Sequence, residues 1–121
     1  MMAGALTPTE VITAWRARDD FVKVFRASAV GGPGYLKALR GPLPHVPLVL
    51  TGGVNLTNAA DFLRAGAAAL GIGELVSVAT LASGDTGRIT TQARQYMANC
   101  QRGTPDSPGN EQPADCRWQI K

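Results

Sequence analysis

Four short runs of apolar or small residues, at 1–6, 21–25, 46–50 and 67–72, alternate with stretches of helical spacing. Glycine or proline stands at most of the junctions. Strands that alternate with helices over short connections resolve into a parallel sheet crossed by right-handed helical connections. The 14 glycines and 8 prolines in 121 residues supply the turns such a fold needs, and an apolar content of 45% suffices for the core of one domain.

The helices are punctuated in ways the residues spell out. Thr7-Pro8-Thr9-Glu10 is a capping box with proline at the first helical position, so Glu10 reads as a cap rather than a catalyst. Val11, Ile12, Ala14 and Trp15 supply that helix's apolar face. Pro33 opens a second helix carrying Tyr35, Leu36 and Leu39, stopped at Gly41-Pro42. Asn55 or Thr57 caps a third, on which Ala59, Phe62 and Leu63 hold helical spacing and Gly66 is the stop. Residues 74–81 form a short segment without an assigned state. Asp85 caps a last helix whose stripe is Ile89, Ala93, Tyr96, Met97 and Cys100, which makes Cys100 a core thiol. Residues 1–102 are therefore expected to form the folded domain. Residues 103–121, polar and rich in Pro, Ser, Asn and Gln, are expected to be a disordered tail, with no role for Cys116 or Trp118.

Several function classes drop out. A net charge of +3 with scattered basic residues gives no nucleic-acid footprint. Cys100, Cys116 and the single histidine, His45, lack metal-ligand spacing, and His45 reads as a solvated loop residue. No cofactor is called for. No basic leader precedes an apolar core, and no apolar run approaches the roughly 20 residues of a membrane span. The expected setting is the cytoplasm, with reduced thiols.

One charge stands out. In Phe21-Val22-Lys23-Val24-Phe25 a period of two puts Lys23 on one strand face between two rings, with Val22 and Val24 on the other. A buried, unpartnered lysine loses its preference for the charged form and becomes a nucleophile able to form a Schiff base with a keto substrate. The plainer alternative is a strand-end lysine whose head reaches water. Two further strand ends, Thr51-Gly52-Gly53 and Gly71-Ile72-Gly73, belong to the same rim of a parallel sheet. Glycines there either serve a tight turn or let backbone N–H groups approach an anion.

Together these residues resemble a known family. Val22-Lys23-Val24-Phe25 with Ala27-Ser28 and Gly31-Gly32, then Leu36-Lys37-Ala38-Leu39 with Gly41-Pro42, and Thr51-Gly52-Gly53-Val54 resemble the aldolases of 2-keto-3-deoxy-6-phosphogluconate and 4-hydroxy-2-oxoglutarate (KDPG and KHG). Residues 4–10 resemble that family's fifth-strand turn. The resemblance runs over about residues 3–100 and covers only the C-terminal half of the family's length. It implies strands five to eight of a (β/α)₈ (TIM) barrel. It also implies a metal-free class I lyase that cleaves a 2-keto-3-deoxy-6-phospho sugar acid to pyruvate and glyceraldehyde 3-phosphate. By the same resemblance Lys23 is the Schiff-base lysine, Phe25 packs beside the pyruvyl group and Thr51 sits at the pyruvate end. Gly52, Gly53 and Gly73 hold the substrate phosphate.

The departures carry equal weight. The family's general-base glutamate and carboxylate-binding arginine belong to the half not matched. Arg26 stands at a usual proline, Leu50 at a frequent proline, and the turn at Gly71-Ile72-Gly73-Glu74 is one residue short. Two readings follow. One is an aldolase impaired by the missing half. The other is a non-catalytic half-barrel that binds phosphate or pairs with another chain, either a second copy or a complementing N-terminal half-barrel.

Overall fold

The capping box forms with both of its reciprocal bonds. The Glu10 N–H donates to Thr7 Oγ1 at 3.4 Å, while Glu10 Oε2 accepts from the N–H groups of Thr7 (2.9 Å) and Leu6 (2.7 Å). These backbone donors, Thr7 first and then Leu6, hold the Glu10 carboxyl below the usual carboxylate range. Strand β1 (Met2–Ala5) thereby turns into helix α1 (Pro8–Arg16) across Leu6 and Thr7. Glu10 is a cap, as its position in the sequence predicts.

A computed structural model describes residues 1–103 of the chain. The rest of the expected tail, with Cys116 and Trp118, lies outside the described residues. After α1 come β2 (Phe21–Val24), a 3-10 turn (Ala27–Val30), α2 (Gly32–Arg40), β3 (Leu48–Thr51), α3 (Ala59–Arg64) and β4 (Ala69–Gly71). Helices α4 (Val78–Ser83) and α5 (Thr86–Gly103) follow. All four strands are parallel, in the order β1-β2-β3-β4.

Register settles the two faces of this sheet. Ala5 aligns with Val24, Val24 with Leu50 and Leu50 with Leu70. Val22, Val24, Leu48 and Leu50 are fully buried, and their face meets Val11, Leu36, Leu39, Ala59 and Phe62 from the helices in one core. The opposite row, Gly4–Lys23–Val49–Ala69, lies on the face with no helix layer among the described residues. Met2, Phe21 and Phe25, on that side, are exposed.

Several helix ends agree with the sequence. Asp85 Oδ1 accepts from the N–H of Arg88 at 3.0 Å, starting α5. Gly66, at φ +99°, ends α3, and its carbonyl accepts from Arg40 Nη1 at 2.7 Å. Helix α5 packs on α3 so closely that a Cβ on Gly103 would fall 2.6 Å from Ala60 Cα. Cys100 packs against the core there, and burial pushes its thiol above the usual range.

Other ends depart from expectation. Helix α3 begins after Asn58, whose side chain makes no cap bond; Asn55 Oδ1 instead accepts from the N–H groups of Thr57 and Asn58 in the preceding turn. Residues 78–83 form a helix capped by Ser77, whose Oγ accepts from the Thr80 N–H at 3.1 Å. Val78 and Leu81 of that helix are exposed, so no apolar face marked it. Met97 is exposed rather than on the buried stripe. His45 is exposed, yet it sits edge-on to Trp15, with ring centroids 6.0 Å apart. No helix among the described residues is long and apolar enough to cross a membrane.

Candidate active site

Lys23 stands at the middle of the uncovered face, level with Gly4 on one neighbouring strand and Val49 on the other. Its Nζ lies 5.4 Å from the centroid of the Phe25 ring, within cation–π range. The expected enclosure by two rings does not occur. Phe21 is 43% exposed, Phe25 51% exposed and Lys23 half-buried. The rings line the same face along the strand, but no layer among the described residues closes over them.

The next strand brings the glycine turn to this lysine. Thr51 ends β3 on the uncovered face, two residues beyond Val49 and level with Gly71 of β4. A Cβ on Gly71 would fall 3.1 Å from Thr51 Cβ, so the two strand ends are in close contact. Gly52 and Gly53 then take φ values of +85° and +77°, in the left-handed region that favours glycine. A Cβ on Gly52 would lie 2.8 Å from Arg26 Cγ and 3.1 Å from Phe25 Cε2. One on Gly53 would lie 2.2 Å from Ser28 Oγ. The Ser28 N–H donates to the Gly52 carbonyl at 3.4 Å, and Asn58 Nδ2 donates to the Gly53 carbonyl at 2.8 Å. The turn after β3 is therefore seated on the turn after β2 and requires both glycines. Neither the Gly52 nor the Gly53 N–H has an acceptor among the turn and loop hydrogen bonds of the described residues. Such a pair of free amides is the chemistry of an anion cradle.

Lys23, Phe25, Thr51, Gly52 and Gly53 thus share one rim. Gly73 is a looser member. It lies two residues past β4, exposed, and a Cβ there would meet nothing within 4 Å. The neighbouring Glu74 bears on Tyr96 of α5, whose phenol is raised above its usual range first by burial and then by the Glu74 charge. Three residues not singled out as site residues by the sequence also belong to the rim: Ser28 over Gly53, Asn58 beneath the Gly53 carbonyl, and Arg26. Arg26 left a trace in the sequence as a cation where proline was expected, and Ser28 only as part of the family-like Ala27-Ser28 pair. A separate shallow cleft, lined by Trp15, Arg18, Asp19, Asp20 and Phe21, lies at the other end of the strands.

No strand residue on the uncovered face is acidic. Among the described residues five carboxylates are engaged elsewhere: Glu10 in the cap, Asp19 accepting from the Ala3 N–H, Asp20 with the chain's amino terminus, Asp61 with Arg64 and Asp85 at the start of α5; the sixth, Glu74, is exposed beside Gly73.

Comparison with known proteins gives this site its context. The chain is 40% identical over 63 residues to a 2-dehydro-3-deoxy-phosphogluconate aldolase of Pseudomonas aeruginosa, covering 52% of this chain and 29% of that one. It is 41% identical over 71 residues to a 2-dehydro-3-deoxy-6-phosphogalactonate aldolase of Escherichia coli, covering 58% and 34%. Among solved structures, the "Native KDPGal structure" superposes with a TM-score of 0.76 at 31% identity, covering 84% of this chain and 48% of that one. The chain thus spans about a third of the length of these two relatives and about half of that structure. The model of the family described as KDPG and KHG aldolase matches residues 1–92, and the chain belongs to that family.

Proposed function

We propose that the chain carries the Schiff-base and phosphate-binding half of a class I aldolase site, on strands corresponding to the last four of a (β/α)₈ barrel. The substrate is a 2-keto-3-deoxy-6-phospho sugar acid, and the products are pyruvate and glyceraldehyde 3-phosphate. The observation that carries this reading is the seating of the Gly52-Gly53 turn on the segment following Lys23. It sets two free amides and a primary amine at one rim.

The chemistry follows from the groups present. The Lys23 amine adds to the C2 carbonyl, and loss of water leaves a protonated imine. The C3–C4 bond then breaks, its electron pair moving through C3 to the imine nitrogen as an enamine, while the C4 hydroxyl loses its proton and becomes an aldehyde. Protonation of C3 and addition of water release pyruvate and free the amine. Phe25 packs against the pyruvyl group, Thr51 faces its polar end, and Gly52 and Gly53, with Gly73 at the edge, hold the phosphate.

No strand residue on the face of Lys23 carries a carboxylate to take the C4 proton. General acid–base help is worth about 10²- to 10⁴-fold, so a chain without a base beside Lys23 turns over slowly. The same observation favours a second reading, a non-catalytic half-barrel that binds phosphate or pairs through its open edges with another chain.

Borohydride reduction in the presence of pyruvate, followed by peptide mapping, separates the two. An adduct confined to Lys23 and absent from Lys23→Ala supports the aldolase half-site. A folded sample without an adduct supports the non-catalytic reading.

A further inference from the structure

The sheet ends in two open edges. The Phe25 N–H donates to the Ala5 carbonyl and the Ala68 N–H to the Leu48 carbonyl, so Ala5 and Ala68 turn their backbone groups toward β2 and β3. Successive residues of a strand alternate in this respect. Met2 and Gly4 on β1, and Ala69 and Gly71 on β4, therefore turn theirs outward, where no strand among the described residues lies. Neither edge strand carries a charge or a proline, the usual guards of an exposed edge. Between the edges, the uncovered face presents Met2, Phe21 and Phe25 at 43–51% exposure. An aromatic side chain carries about 150–250 Å² of surface, so two rings and a methionine of similar reach leave about 300 Å² of apolar surface open on each copy.

We propose that these edges and this face are the interface for a second copy of the chain. The strand β4 of each copy pairs in parallel with β1 of the other, about a two-fold axis that runs along the strands, and the two sheets close into one eight-stranded barrel. This rests on the reading of the strands as the last four of a (β/α)₈ barrel, and it names the partner for the pairing through open edges. A two-fold in that direction preserves strand direction, so both new seams are parallel, like the three within the chain. The interface is self-complementary and leaves no edge open. Specific interfaces begin near about 1,200 Å² in total, and the three exposed side chains of each copy supply about half of that before the edges are counted. The inward positions of the edge strands are small, at Gly4, Ala69 and Gly71, which leaves the interior to Phe21 and Lys23 of β2. Small and large residues alternate in this way to fill a small barrel. In the closed ring β2 stands opposite its counterpart, so Lys23 faces the partner's Lys23 across the interior. That like-charge pair opposes closure.

Sedimentation equilibrium of the 121-residue chain over a dilution series tests this. A dimer is expected; a monomer at every concentration, or a ladder of larger species, overturns the proposal. Phe21→Lys, which adds a charge to the interior, raises the dissociation constant about tenfold or more. Lys23→Met removes the opposed charges and lowers it by a similar factor, a gain that no loss of folding can imitate. Ala69→Pro removes an N–H that faces only the open edge, so the chain keeps its circular dichroism and its β3 pairing but becomes monomeric. If that variant unfolds, Gly4→Pro makes the same test at the other edge, where a Cβ meets nothing within 4 Å. A dimer that survives the proline in a folded chain, or one that Lys23→Met does not tighten, overturns the barrel. The measurement needs no keto acid. A dimer without a pyruvate adduct at Lys23 therefore sustains this proposal while the aldolase reading falls, and a monomer with the adduct does the reverse.

Discussion

The Ser28 side chain fills the space above Gly53, leaving no room there for even a methyl group: a Cβ on Gly53 would lie 2.2 Å from Ser28 Oγ and 2.5 Å from Ser28 Cβ. Gly53 also holds φ +77°. Gly53→Ala meets both obstacles and is expected to lose about 1–3 kcal/mol of stability. Ser28→Gly in the same chain removes the clash but not the backbone strain, so it restores only part of the loss. Urea unfolding of the three variants measures this, and an unchanged midpoint for Gly53→Ala would contradict the seating of one turn on the other.

Among the described residues Phe62 is the largest fully buried side chain, packed in the core where α3 meets the sheet and reaching toward Gly32. Phe62→Ala is expected to cost about 3–5 kcal/mol. That is a large share of the roughly 5–15 kcal/mol available to a domain. Denaturant titration followed by circular dichroism reads it. Phe62→Leu, which keeps most of the volume, should fall well short of that loss.

Glu10 carries a pH dependence of definite sign. Its carboxyl is more acidic in the folded chain than its ordinary value of 4.5, because the N–H groups of Thr7 and Leu6 bind the charged form. A lowered folded value contributes stability above the unfolded value and loses it as pH falls through the folded one. The unfolding midpoint of wild type should therefore exceed that of Glu10→Gln at pH 7, and the gap should narrow below about pH 4.5. A gap that widens on acidification would refute the cap as the source of the shift.

Stability and chemistry should separate at Lys23. The side chain is half-buried against the Phe25 ring, a contact of a type worth about 0.5–1 kcal/mol at exposed sites. Lys23→Ala is thus expected to unfold within about 1 kcal/mol of wild type while losing all trapping by pyruvate. A large destabilisation would instead make Lys23 a structural residue.

What was legible in the sequence was local. The capping box at Thr7 and Glu10, the Asp85 cap and the period of two through Lys23 each depend on residues a few positions apart, and each appears in the structure. The family was legible because its pattern sits at strand ends, where residue identity is tied to backbone geometry. Periodicity assigned Phe21 and Phe25 to a face but carried no information on whether that face is covered, so their exposure was not foreseen. Helix α4 escaped because its exposed Val78 and Leu81 form no buried stripe. Asn55 and Asn58 bond each other, a reciprocal arrangement that composition cannot distinguish from a single cap. The contact between Ser28 and Gly53 joins turns 25 positions apart, beyond the reach of any local pattern.

The strand order β1-β2-β3-β4 is also the order of the chain. Among the described residues every pairing joins strands that are neighbours in sequence, so contact order is low for a parallel sheet, and each new strand docks on an edge its predecessor has just formed. A chain leaving the ribosome can add these strand-and-helix units one at a time. A sheet assembled in this way is inherited in whole units: recombination between units lengthens or shortens it without disturbing any pairing that remains.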